Sequence, residues 1–296
     1  VSRTVRDLDA AQLRAWPLPE PEGGKEGRGR VVVVGGSRRT PGAVLLAAEA
    51  AMRAGAGKPQ VATAESVAVA VSVALPEALV TALPERGDGE IAATSVDQVV
   101  DLAAGCDALL LGPGLLSPDA ANELLEALVP RLDCPVVLDA LAMSYLTEHP
   151  DGVTHLHGRV VLTPNDSELA ETLGLDEAEV VDRAAECCAE LADRSGATVV
   201  AGGETTYVAA PRSEVVWRHP GVPGLGVAGS GDVKAGVVAG LLARGVPAEG
   251  AAAWGAALHL RAGRAVSEHE APLGFLARDV LPWIPHLMAQ LSSPAH

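Results

Sequence analysis

Residues 226–236, GVAGSGDVKAG, place four glycines, a serine and an aspartate directly before the apolar run Val237-Val238-Ala239-Gly240-Leu241-Leu242. A glycine-rich turn entering a helix is an anion site. Its first amides lack intrahelical acceptors, and the helix dipole adds partial positive charge. Gly229, Ser230 and Gly231 are the expected phosphate hole. Asp232 has two readings. In the first turn of a helix it can cap. Beside a bound phosphate it can take the proton from a hydroxyl that attacks that phosphate.

Outward from this stretch, strand and helix patterns alternate. RVVVVGGS (30–37) is a β-branched run into a Gly-Gly loop, and residues 41–57 have Pro near a helix start and Gly at its end. QVATA (60–64), ALLLGPG (108–114), PVVLDALAM (135–143) and RVVLTP (159–164) read as further strands. Residues 119–132 and 176–196 read as amphipathic helices. TVVAGG (198–203), TTYVAAP (205–211) and EVVWRHP (214–220) are strands with a hairpin among them, and residues 247–266 form a last helix. Residues 1–15 look like a short helix, and 16–29 a Pro/Gly-rich surface lead-in.

This alternation predicts an α/β fold, a three-layer α/β/α sandwich with a mostly parallel central sheet. No linker divides it, so residues 1–296 read as one domain, with 1–24 as its N-terminal lead-in helix and loop. The loops GGS, GPG and TPNDSE each follow a strand. In such sheets ligands sit beyond the carboxyl ends of the strands, so these loops are expected to converge on one edge.

Composition fits that reading. Of 296 residues 48% are hydrophobic, mostly Ala, Val and Leu, and only 2% are aromatic, a mix suited to helices packed closely on a buried sheet. The formal net charge is −16, spread along the chain, which argues against a nucleic-acid partner. A phosphate ligand then needs backbone amides, a metal or a few local cations. The four cysteines form no C-x-x-C pair and read as thiols of a reducing compartment. No signal-peptide pattern and no membrane-length apolar run is present. The expectation is a cytoplasmic protein with no membrane partner.

Two common phosphate motifs are excluded. Residues 36–42, GSRRTPG, lack the Lys-Ser/Thr pair of a Walker loop. Residues 224–229, GLGVAG, match G-x-G-x-x-G, but the acid about 20 residues on, Glu249, opens a helix instead of ending a strand.

GSGDVKAGVVAGLLARG resembles the anion hole of the ribokinase-like superfamily. Within that superfamily, four further blocks resemble the ADP/ATP-dependent NAD(P)H-hydrate dehydratases. They are RGRVVVVGGSRRTPGAVLLAAEAAMRAGAG, LPEALV (75–80), LLLGPGLL (109–116) and GVPGLGVAGSGDVKAG. The blocks stand in the family's order from about residue 25 to about residue 265. The resemblance implies a repair lyase. ADP or ATP, with Mg2+, phosphorylates the hydroxyl of hydrated NADH or NADPH (NADHX, NADPHX), and loss of phosphate restores the ring double bond. It implies Asp232 as base, Ala43, Gly114 and Asn165 in the substrate pocket, and Ala201, Gly202, Gly203, Glu204 and Thr205 at the nucleotide. It also implies a homo-oligomer and a separate epimerase.

The chain departs from the family pattern at ligand positions. Asn165 stands where a histidine is usual, Ala201 where a lysine is usual, and Val222 for an asparagine. Leu141 replaces an acid, and Lys234 follows the base where leucine is usual. Asn165-x-x-Glu168 is instead the pattern of ribokinase-like small-molecule kinases. An ATP-dependent kinase, or a nucleotide binder with little turnover, therefore stands as the alternative. Glu168 carries magnesium through water or simply occupies a helix's first turn. Arg38 and Arg39 read as solvated loop charge, His155 and His157 as surface residues, and Trp254 as packing.

Overall fold

In the computed structural model, residues 3–20 and 24–293 are described. Ten strands form one sheet, ordered β1-β10-β9-β8-β7-β6-β5-β2-β3-β4. They are β1 (Thr4–Asp7), β2 (Arg30–Val34), β3 (Lys58–Ala64), β4 (Leu79–Leu83), β5 (Ala108–Leu111), β6 (Val136–Leu138), β7 (Val160–Leu162), β8 (Thr198–Ala201), β9 (Thr205–Ala209) and β10 (Val215–Pro220). Only β9 runs against its neighbours. The central strands are short and buried on both faces, so their sequences are continuous Val/Leu runs without alternation.

Among the described residues nine longer helices accompany the sheet: α1 (Pro41–Arg53), α2 (Glu65–Ala74), α3 (Val96–Ala104), α4 (Pro118–Leu128), α5 (Asp166–Leu173), α6 (Ala184–Ser195), α7 (Ser230–Ala243), α8 (Ala248–His269) and α9 (Trp283–Ser292). Two cores result, one on each face. One face buries α1, α7 and α8; the other buries α3, α4 and α6. This is the expected three-layer sandwich.

The seam between α1 and α7 is made of backbone and methyl groups. A Cβ on Gly236 would lie 2.2 Å from the Ala47 carbonyl oxygen, and one on Gly240 2.4 Å from that of Ala51. The alanine and glycine content of these two helices is therefore a packing requirement.

Three local expectations are corrected. The helix expected over residues 1–15 is not continuous among the described residues 3–15. Thr4–Asp7 pairs in parallel with Val215–Arg218, and only Ala10–Leu13, capped by Asp9, is helical. The rest of the 1–24 lead-in lies partly at residues 1, 2 and 21–23, outside the described residues. Residues 176–196 form two helices, Glu177–Asp182 and α6, broken at Arg183, whose φ of −124° is not helical. The strand expected over 135–143 stops at Leu138, because Ala140 turns the chain with φ +49°. A left-handed alanine is uncommon, and here it follows a buried aspartate.

Candidate active site

The glycine-rich loops do converge. β2, β5, β6, β7 and β8 are parallel, so the loops after them share the sheet's carboxyl edge. The loop after β2 is stitched to the one after β5. Gly36 N donates to Pro113 O at 2.8 Å, Ser37 N to Gly114 O at 3.0 Å, and Thr40 Oγ1 to the same oxygen at 2.7 Å. Gly114 has φ +72°, and a Cβ there would meet Thr40 O at 2.7 Å and the Ala43 methyl at 3.0 Å. The predicted pair Ala43 and Gly114 is thus brought together. Arg38 turns away and pairs with Glu85.

Gly229, at φ +90°, precedes α7. Its Cα hydrogen points at Leu46, whose Cδ1 would stand 2.5 Å from a Cβ, so the turn admits only glycine. Ser230 N is satisfied by Val227 O, but the amides of Gly231 and Asp232 find no acceptor among the described residues. No side chain caps this helix, so the capping reading of Asp232 is not realised and its carboxylate is free. Burial, and then the charges of Asp139 and Glu168, push its pKa up to about 7. Beneath it, Ser230 Oγ lies 2.9 Å from His259 Nε2 on α8. His259 is buried, its Nδ1 has no partner, and burial lowers its pKa to about 3. The ring is therefore neutral.

Around Asp232 stand groups from other strand ends. Asp139 follows β6, is buried, and accepts from Thr163 Oγ1 at 2.6 Å; burial raises its pKa. Asp166 and Glu168 open α5, both raised chiefly by burial. Lys234, on α7, is buried and held below the usual ammonium range by that burial, against the pull of Asp139, Glu168 and Asp166.

Asn165 and Glu168 form a reciprocal capping box. Asn165 Oδ1 accepts from Glu168 N at 2.8 Å, and Glu168 Oε2 accepts from Asn165 N at 3.0 Å. Both sit on the site's edge with one function already structural. Ala201 is buried inside β8. The turn after it instead presents backbone, with Gly202 at φ +119° and Gly203 close enough that a Cβ would lie 2.9 Å from Asp166 Oδ2. Glu204 is exposed, and Thr205 opens β9. Asp139, Asp166, Lys234 and His259 were not assigned a role from sequence. The available signal was a charged or imidazole group inside an otherwise apolar segment.

Among the described residues no three His, Cys, Asp or Glu side chains form a ready metal cage. Magnesium suits such a site, since it keeps waters and takes one or two carboxylates plus nucleotide phosphates.

An almost parallel sheet with an amide-lined helix start at its carboxyl edge, and an acid two residues into that helix, defines a ribokinase-like protein. Its sequence goes further. The profile of the NAD(P)H-hydrate dehydratase family matches residues 31–286, and the chain belongs to that family. It is 44% identical over 288 residues to an ADP-dependent (S)-NAD(P)H-hydrate dehydratase of Xanthomonas campestris pv. campestris, covering 97% of each chain. It is 36% identical over 287 residues to a bifunctional NAD(P)H-hydrate repair enzyme of Moorella thermoacetica, covering 97% of this chain but 54% of that one. The structure of the Bacillus subtilis ADP/ATP-dependent NAD(P)H-hydrate dehydratase, co-crystallised with ATP and Mg2+, superposes with a TM-score of 0.79 at 26% identity, covering 97% of this chain and 99% of that one. No helix among the described residues is long and apolar enough to cross a membrane.

Proposed function

We propose that this protein uses ADP or ATP to dehydrate NADHX and NADPHX to NADH and NADPH. The observation that carries the reading is the free, half-buried Asp232 carboxylate, poised near pH 7 beside the unoccupied amides of Gly231 and Asp232.

The chemistry follows from leaving groups. Hydroxide leaves poorly at neutral pH, phosphate well. Asp232 takes the proton of the ring hydroxyl, whose oxygen attacks the terminal phosphorus of the nucleotide. The bond to the bridging oxygen breaks, releasing AMP from ADP or ADP from ATP. The ring nitrogen's lone pair then expels phosphate, and a proton leaves the neighbouring ring carbon. The Gly229–Gly231 turn and the α7 dipole hold the transferring phosphate, whose growing charge the amides meet without reorganising. In the tautomer that protonates His259 Nε2, the ring donates to Ser230 Oγ and leaves the hydroxyl hydrogen free for a phosphate oxygen. Ala43 and Gly114 floor the substrate pocket with Asn165 at its rim. The nucleotide lies along the Ala201–Thr205 turn. Magnesium would be held by Glu168 through water and by the phosphates, and would neutralise their charge. A homo-oligomer, a separate epimerase for the other hydrate epimer and a cytoplasmic setting belong to this reading, on the strength of the family. The Asn165-x-x-Glu168 pattern that favours a kinase is used here as a capping box.

The test is absorbance at the reduced-nicotinamide band, with protein, NADPHX, magnesium, and ADP or ATP in parallel. Nucleotide-dependent recovery is expected. No recovery, while nucleotide still raises the melting temperature, would leave a kinase of another alcohol or a silent binder.

A further inference from the structure

Lys234 stands out. It is only 6% exposed. It has no hydrogen bond and no ion pair among the described residues, yet its Nζ is not among the side-chain atoms sealed from solvent without a partner. A buried ammonium without a partner is expensive, and most lysines escape it by reaching to the surface. This one keeps a route to open space at the sheet's carboxyl edge.

Its direction follows from its place in the second turn of α7. Side chains on a helix lean toward the helix's N-terminus. From the second turn of α7, that lean carries the ammonium back toward the amides of Gly231 and Asp232. His259, bonded to Ser230 at that N-terminus, feels its charge. So do Asp139 after β6, Asp166 and Glu168 at the start of α5, and Cys188, whose thiol lies under β8 and β9. The electrostatic coupling of these groups to Lys234 agrees with that direction.

An anionic nucleotide entering this space meets four carboxylates on a chain of net charge −16. Of the two cations in the adjacent loop, Arg38 is spent on Glu85 and Arg39 is exposed to solvent. We infer that the Lys234 ammonium binds the phosphate chain of the nucleotide, between the α7 amides and the turn after β8, and so selects a nucleoside diphosphate or triphosphate over a nucleoside. This rests on the nucleotide binding of the preceding reading but not on the dehydration itself. A cation already placed among carboxylates also spares the incoming phosphates repulsion.

The test is calorimetric titration of the whole chain and its Lys234→Met variant with ADP and with adenosine. Methionine fills the lysine's space without charge. ADP affinity is expected to fall about tenfold or more while adenosine affinity holds; Lys234→Arg, which returns a cation, should recover part of the loss. Unchanged ADP affinity, or equal losses for ADP and adenosine, would overturn the inference. A second measurement needs no variant. The sequence has three lysines, Lys25, Lys58 and Lys234, so their side-chain NMR signals are separable. Saturating ADP should move the Lys234 signal and leave the others, and adenosine should move none. A still Lys234 signal would be equally fatal. Because binding is read directly, a wild-type chain that restores no NADPH but binds ADP through Lys234 sinks the dehydratase reading alone. One that restores NADPH with Lys234→Met binding ADP normally sinks this inference alone.

Discussion

The two edges of the sheet treat charge in opposite ways. At the amino edge, Arg30 N bonds Asp107 at 2.7 Å and its guanidinium bonds the Gly105 carbonyl at 2.7 Å. Arg159 bonds Asp133 at 2.6 Å, and Arg131 bonds Asp97 at 2.8 Å. Apart from Arg30 Nε, which is buried without a partner among the described residues, these groups have found partners. At the carboxyl edge, Asp139, Asp166, Glu168, Asp232 and Lys234 share a partly dry space without one ion pair among them. Ala140 adds a left-handed turn there. Folding favours the first arrangement. The second persists only where a ligand completes it, so the contrast locates the site independently of any motif.

The largest break in this contrast should come from Asp232→Asn. Loss of a general base is expected to lower the dehydration rate by about 10²–10⁴-fold, with ADP binding by calorimetry retained. Loss of folding instead would return Asp232 to a structural role. His259→Leu should raise the KM for nucleotide about three- to tenfold with little change in kcat. It frees Ser230 to turn but removes an imidazole nitrogen that has no partner. Equal falls in kcat and kcat/KM would instead place His259 in the chemical step.

A pH series sharpens the comparison. The folded pKa of Asp232, about 7, lies above its ordinary carboxylate value. The folded protein therefore holds a proton that the unfolded chain has released, between about pH 4 and pH 7. Stability contributed by this group falls as pH rises through that window and is level above it. Asp232→Asn should accordingly gain melting temperature relative to the parent across that window. Activity runs the other way, since the base must be ionised. The kcat/KM profile should rise to a plateau above about pH 7, and an activity already flat at pH 5 would refute the assignment. His259, neutral throughout, should leave no mark on the profile.

The smallest effect is expected at the amino edge. Asp133 is 93% exposed despite its bond to Arg159. Asp133→Asn should leave activity unchanged and shift the melting temperature by no more than about 2 °C. A larger loss of activity would mean that the two edges are coupled through the sheet.

Much of the fold was legible because its signals are local. The runs VVVV and ALLL can be little but buried strands, and each glycine loop follows one. The converging loops and the anion turn were readable for the same reason, whereas Ala43 and Gly114 entered only through the family resemblance and their contact shows in the fold. What escaped was tertiary. β1 exists because β10 offers it an edge, 211 residues along the chain from Asp7 to Arg218. The break at Arg183 hides in a continuous amphipathic pattern. Asn165 and Glu168 read as ligand positions, but the capping box they form with each other shows only in the folded chain. Lys234 and His259 declare themselves only when strands and helices far apart in sequence close around them.

The glycine seam between α1 and α7 has a mechanical meaning. At Gly236 and Gly240 nothing larger than an alanine methyl separates the two backbones, so neither helix slides or rolls easily without the other. The loop after β2 is fastened to the start of α1, and the anion turn to the start of α7. Both floors of the cleft therefore belong to one rigid block.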